Sequence, residues 1–232
     1  PKWNWEGLKG SDVTLPHLFR KAGYQTIHIG KAHFAPKDRE GENPLNLGFD
    51  VNVAGTCFGA PGSYYGTRSF GVGSKNLHAR PVPHLEKYHG QNIFLTEALT
   101  LEAKAEIDKA LNASKPFFLH MSHYAVHSPF QSDPRFAKNY QGKSPSLMAY
   151  ATMIEGMDKS LGDLIDHIET KGVAENTLII FLGDNGGDAP DKDLDGISSC
   201  APLRGRKGAK WEGGMRVPFI AAWGNVNPGN AF

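Results

Sequence analysis

Apolar residues along this chain fall into two alternating patterns. Short, dense runs read as strands: Thr26–Gly30, Pro116–Met121, Thr177–Leu182 and Val217–Trp223. The run Thr177–Leu182 is apolar without alternation, the mark of a strand buried on both faces. Between the runs, apolar residues recur at helical spacing. Val13, Leu15, Leu18 and Phe19 predict a helix over Val13–Ala22. Ile93, Leu95, Ala98, Leu99, Leu101 and Ala105 predict one over Asn92–Leu111, with its acidic and basic residues on the exposed face. Met148, Met153, Ile154, Met157, Leu161, Leu164, Ile165 and Ile168 predict one over Ser146–Lys171, closed by Lys171 and a C-terminal glycine, Gly172. Alternating strands and helices predict an α/β fold, a mostly parallel sheet sandwiched by helices.

Two stretches break this rhythm. Residues 35–90 are rich in Gly, Pro, Asn, His and Tyr and show no period. They are too long for a plain connection and are expected to form an excursion that faces the substrate. Residues 186–216 are irregular and rich in Gly, Asp and Arg. There are no internal repeats. The chain begins at Pro1 without Met and stops at Phe232, shortly after a strand. The expectation is a central part of a longer catalytic domain, incomplete at both ends.

Composition narrows the class. The 232 residues are 40% hydrophobic and 21% charged, enough for a packed core. A net charge of +1 carries no nucleic-acid footprint. No apolar run approaches the roughly 20 residues that span a bilayer. Cys57 and Cys200 either form one bridge or stay free, and they leave the redox compartment open.

Chemistry-bearing residues cluster where strands end, the place where open α/β sheets bind ligands. The first strand runs into Gly30-Lys31-Ala32-His33. Lys31 and His33, two apart in extended chain, point to one side. The second strand runs into His120, His123 and His127. The third ends in Asp184-Asn185-Gly186-Gly187. A carboxylate beside an amide oxygen suits Ca²⁺ or Mg²⁺, although the same residues also make an ordinary turn. The last segment brings Arg204, Arg206, Lys207, Lys210, Glu212 and Arg216. Each residue alone has a plain reading: a surface lysine, a satisfied loop histidine, a tight turn with Glu212 paired to Arg216. Several at successive strand ends make a cavity for a tetrahedral anion.

In this order, Gly30-Lys31-Ala32-His33, His127-Ser128-Pro129, Asp184-Asn185-Gly186 and Leu203-Arg204-Gly205-Arg206-Lys207 followed by Trp211-Glu212-Gly213-Gly214-Met215-Arg216-Val217-Pro218 resemble the type I sulfatases of the alkaline phosphatase-like superfamily. So do Thr14–Tyr24, Gly48-Phe49-Asp50 and Tyr150–Asp158. The resemblance implies a sulfuric ester hydrolase acting on a sulfated small molecule or glycan, in a periplasmic, secreted or lysosomal compartment. It implies that Asp184 and Asn185 are Ca²⁺ ligands and that Lys207 binds the sulfate group. It implies that His127 is the acid near the leaving oxygen, and that Lys31 and His33 steady the nucleophile. The family's nucleophile is a formylglycine made in a Cys/Ser-x-Pro-x-Arg motif, expected upstream and absent ahead of Thr14. Cys200-Ala201-Pro202-Leu203-Arg204 matches that pattern in letters only. It lies after Asp184-Asn185, and Gly205–Gly214 reads as loop where the real motif opens a helix. Two alternatives remain: a phosphodiesterase or phosphonate hydrolase of the same superfamily, and a non-catalytic fragment that binds sulfated glycans. Tyr64, Tyr65, Tyr88 and Trp211 are candidates to stack on sugars, with core packing as the competing reading. Asn112-Ala113-Ser114 is a glycosylation sequon with meaning only on a eukaryotic secretory route.

Overall fold

The computed structural model describes residues 5–74, 80–188 and 200–224, in two compact units, Pro1–Pro134 and Arg135–Phe232. In the first unit, β1 (Gln25–Gly30) lies between β2 (Val51–Val53) and β3 (Phe117–Ser122) in a parallel sheet. Ile27 pairs with Val51 and Leu119, and His28 with Asn52 and His120. Strand β2 falls within the irregular stretch. Three residues are too few to show a period, so the sequence pattern concealed it.

Helix α1 (Leu15–Lys21) begins at Thr14, whose hydroxyl accepts from the His17 amide and donates to Leu47 O at 2.6 Å. Its apolar spacing misleads, because Val13, Leu15 and Leu18 are exposed. Phe19 makes the contact instead, stacking on Phe118 at 4.6 Å. Helix α2 (Leu95–Asn112) packs across β1 and β3 through Leu95, Ala98, Leu99, Ala103 and Ile107. Its acidic residues are not all on the exposed face. Glu102 and Glu106 are buried, because Tyr88 Oη and Lys87 Nζ each reach Glu102 at 2.6 Å and Lys109 reaches Glu106 at 2.6 Å. Paired carboxylates can be buried where lone ones cannot.

The second unit is led by α3 (Pro145–Thr170), capped by Ser144, whose hydroxyl accepts from the Leu147 amide. It ends as its sequence predicts. Gly172 is left-handed, Gly172 N donates to Glu169 O, and Val173 N donates to Ile168 O, which closes a Schellman turn. Its buried stripe is Ala149, Thr152, Met153, Gly156, Ser160, Leu164 and Ile168, while Ile154 is exposed. Strands β4 (Leu178–Leu182) and β5 (Phe219–Trp223) pair antiparallel, apart from the parallel sheet. The expectation of a doubly buried β4 is overturned: Leu178, Ile180 and Leu182 are 53%, 53% and 59% exposed, and all of β5 is exposed. Parallel pairing needs a long crossover, usually a helix. Among the described residues the β4–β5 connection holds one helical turn, α4 (Glu212–Met215).

Candidate active site

The chemistry of the first unit starts where β1 runs out against β3. Gly30 has φ 103°, and a Cβ there would overlap Ser122 O at 1.9 Å. Only glycine lets the strands approach this closely. The Lys31 amide then donates to Ser122 O at 2.8 Å, which anchors Lys31 at the shared strand end. His33 also has a positive φ, 53°, an uncommon conformation for a residue with a side chain. It is held there because its amide donates to Thr56 O at 2.9 Å. Its ring meets the edge of Trp5 at 5.0 Å and lies over Gly59, where a Cβ would be 2.6 Å from Nδ1. Burial, followed by the charges of Lys31, His127 and Arg80, lowers its pKa below the ordinary histidine value.

His127 follows β3 on a turn in which its amide donates to Tyr124 O at 2.9 Å. The Ala125–Val126 and Ser128–Pro129 peptide bonds beside it are cis. Its Nδ1 lies 2.9 Å from Ser128 O. A carbonyl only accepts, so Nδ1 carries the proton and Nε2 is the nitrogen whose protonation changes. Lys31, His33 and His127 thus form one group at the carboxyl ends of β1 and β3, in which His33 feels the charges of the other two. Nearby, a cavity of about 350 Å³ is walled by Glu42, Asn52, Thr56 and His84, among others. Thr56 belongs to both, since its carbonyl holds the His33 amide.

Sequence reasoning missed several residues here. Trp5, Gly59 and Arg80 surround His33, but no spacing rule links positions so far apart. His28 was read only as a strand residue, and His120 only as one of the imidazoles where the second strand ends. The structure makes them a pair with Nδ1 atoms 3.0 Å apart. His28 Nε2 faces Gly30 O at 3.1 Å and must donate, so its Nδ1 accepts from His120 Nδ1. Burial first, and His120 second, push the His28 pKa down to about 3. Burial pushes that of His123 down to about 4, and its buried Nδ1 has no hydrogen-bond partner among the described residues.

In the second unit, β4 ends in Gly183-Asp184-Asn185-Gly186-Gly187. Asn185 Nδ2 donates to Gly186 O at 2.8 Å, leaving Oδ1 as the amide atom with acceptor capacity. Gly186 N donates to Gly214 O at 3.0 Å, and a Cβ on Gly186 would lie 1.8 Å from Gly213 O. The two glycine pairs therefore exist for close backbone contact. Lys207 is tied to the same turn: its amide donates to Gly187 O at 3.1 Å and its Nζ lies 3.3 Å from Asp188. Asp184, Asn185 and Lys207 are thus neighbours along one backbone framework. Among the described residues, no group of three or more His, Cys, Asp or Glu side chains stands ready to hold a metal.

Cys200 serves this framework locally, its sulfur accepting the Gly187 N–H at 3.1 Å. Cys57 and Cys200 are not joined in a disulfide. Glu212 pairs with Arg216 at 3.2 Å, as its plain reading has it. The aromatic candidates for sugar stacking are otherwise engaged. Tyr64 and Tyr88 are buried, Tyr65 donates to Ser132 O, and Arg204 covers Trp211 at 3.9 Å.

A family model described as Sulfatase matches residues 2–230. The chain belongs to the sulfatase family. It is 28% identical to an arylsulfatase of Hemicentrotus pulcherrimus over 98% of its length and 41% of that protein's. It is 32% identical to mouse arylsulfatase J, over 90% of this chain and 34% of the relative. Human N-acetylgalactosamine-6-sulfatase is 28% identical, over 96% and 42%. The chain thus spans about two-fifths of these relatives' length. The crystal structure of Ps i-CgsB in complex with k-i-k-neocarrahexaose superimposes with a TM-score of 0.78 at 28% identity, over 96% of this chain and 49% of that one. The fold is that of the alkaline phosphatase-like sulfatases. Among the described residues, no helix is long and apolar enough to cross a membrane.

Proposed function

We propose that the protein carrying this sequence hydrolyses sulfate esters of a carbohydrate. The observation that carries the reading is the grouping of Lys31, His33 and His127 at one pair of strand ends in a chain of the sulfatase family. Sulfate-ester cleavage builds charge on the nonbridging oxygens and on the leaving oxygen. Lys207 supplies positive charge for the first, and Lys31 steadies the nucleophile. His127, protonated at Nε2 and oriented through Nδ1, supplies the proton for the second. His33, lowered in pKa and locked by Thr56 and Trp5, is the neutral imidazole suited to accept a proton at the nucleophile. The cavity beside Thr56 takes the sugar, consistent with a substrate-facing role for residues 35–90.

Two further groups belong to this reading. Asp184 and Asn185 fit part of a hard-oxygen cation site, because the Nδ2 bond to Gly186 leaves Oδ1 for the metal. Ca²⁺ held by Asp184 and Asn185 would neutralise sulfate charge, and a formylglycine would supply the nucleophile. The substrate class takes support from the k-i-k-neocarrahexaose complex and the N-acetylgalactosamine-6-sulfatase relatives. The compartment is periplasmic, secreted or lysosomal. In the full-length enzyme, His127→Ala and Lys207→Ala should each cut sulfate release by roughly 10²–10⁴-fold while leaving the circular dichroism spectrum unchanged. Near-normal turnover in both variants removes the assignment. Preference for a phosphodiester or phosphonate over every sulfate ester tested overturns the substrate class.

A further inference from the structure

The turn that carries His127 has no helix or strand to hold it. Its place is set by side chains from the irregular stretch that bond to its backbone. Tyr64 is fully buried, and its hydroxyl lies 2.7 Å from Tyr124 O and 2.8 Å from His127 O. These two carbonyls are the ends of the turn, which the His127 amide closes on Tyr124 O. One phenolic proton is therefore shared between both ends. The Tyr64 ring is fixed in turn. It stacks on Phe94 at 5.3 Å, and its amide donates to Gln131 Oε1 at 2.7 Å. Burial, the largest influence on this phenol, raises its pKa well above the ordinary tyrosine value, so it stays a donor. Tyr124 fixes the far side through Ala54 O at 2.8 Å.

We propose that Tyr64 is a positioning residue for His127: its hydroxyl holds the backbone carbonyl of His127 so that Nε2 meets the leaving oxygen. This rests on the reading of His127 as the proton donor. It also replaces sugar stacking as the role of Tyr64, since a fully buried ring has no face to offer. The hydroxyl acts through the histidine, so its removal should be felt only where the proton matters. A phenolate leaves without help, whereas a sugar alkoxide needs the proton.

The test compares Tyr64→Phe with the parent in the full-length enzyme on two esters, para-nitrophenyl sulfate and a sugar sulfate. Tyr64→Phe keeps the ring and its stacking. The expected result is a loss of kcat of about 10- to 100-fold on the sugar sulfate, with KM unchanged and with para-nitrophenyl sulfate almost unaffected. His127→Ala, measured alongside, should show the same split more steeply. Tyr124→Phe removes a comparable buried bond on the other side of the turn and should lower both activities equally or not at all. If His127→Ala splits the two esters and Tyr64→Phe does not, the positioning role is overturned while the histidine keeps its own. If His127→Ala lowers both esters alike, the proton-donor reading fails. Positioning is then judged by the His127 imidazole carbon-13 resonance in the chain of 232 residues. A shift in Tyr64→Phe but not in Tyr124→Phe sustains it, and an unmoved resonance overturns it.

Discussion

Histidine shows best how one residue type divides by environment in this molecule. His33 and His127 lie where their protonation is useful. His28 and His123 lie where it is suppressed, at about 3 and about 4, by burial first and, for His28, by its neighbour His120. Both values are below the 6.5 of an ordinary histidine. The unfolded chain therefore takes up protons first as pH falls. The stability these rings lend is complete above pH 6.5 and drains away as pH falls from there toward about 4 and then about 3. Urea midpoints measured across that window should fall steadily with pH, and replacing His28 by Phe should flatten the slope. A slope unchanged by that replacement would show that the buried pair is not its source. No pattern rule distinguishes these histidines in advance. The distinction depends on what lies against each ring, such as Phe34 and Phe49 against His28.

At the scale of elements, periodicity placed helices and strands well and their faces less well. Helix α2 follows its pattern on one side, but Leu101 is 45% exposed while Glu102 is buried under Tyr88 and Lys87. The partner that makes the burial of Glu102 tolerable, Tyr88, lies 14 positions away, beyond any helical period. The seam between β1 and β3 makes the sharpest element-level prediction. Gly30→Ala forces a Cβ against Ser122 O at a φ of 103°. It should cost roughly 2–5 kcal/mol, from left-handed strain and overpacking together. Chemical denaturation measures it, and a loss below about 1 kcal/mol would mean that the strands part easily there.

For the whole molecule, the two units carry different halves of the proposed chemistry: Lys31, His33 and His127 in one, Asp184, Asn185 and Lys207 in the other. Among the described residues no group of three or more His, Cys, Asp or Glu stands ready for a metal, so with Asp184 and Asn185 as its hard-oxygen pair the chain of 232 residues should bind Ca²⁺ weakly. Calorimetry checks this, and tight stoichiometric binding would refute a two-donor site. The family, helices α1 to α3 and four of the five described strands were legible in the sequence, because dense apolar runs and ordered motifs are local signals, whereas the single turn of α4 fell where the sequence reads as loop. So was the Schellman end of α3, since Lys171-Gly172 sets it within one turn. Tertiary structure alone decided the rest. It made β2 a strand, because three residues pair only when β1 is beside them. It turned β4 and β5 antiparallel and left their apolar side chains exposed, which no local pattern encodes. It also decided between sugar stacking and core packing for Tyr64, a buried ring whose hydroxyl meets His127 O, because a contact across 63 positions exists only once the chain has folded.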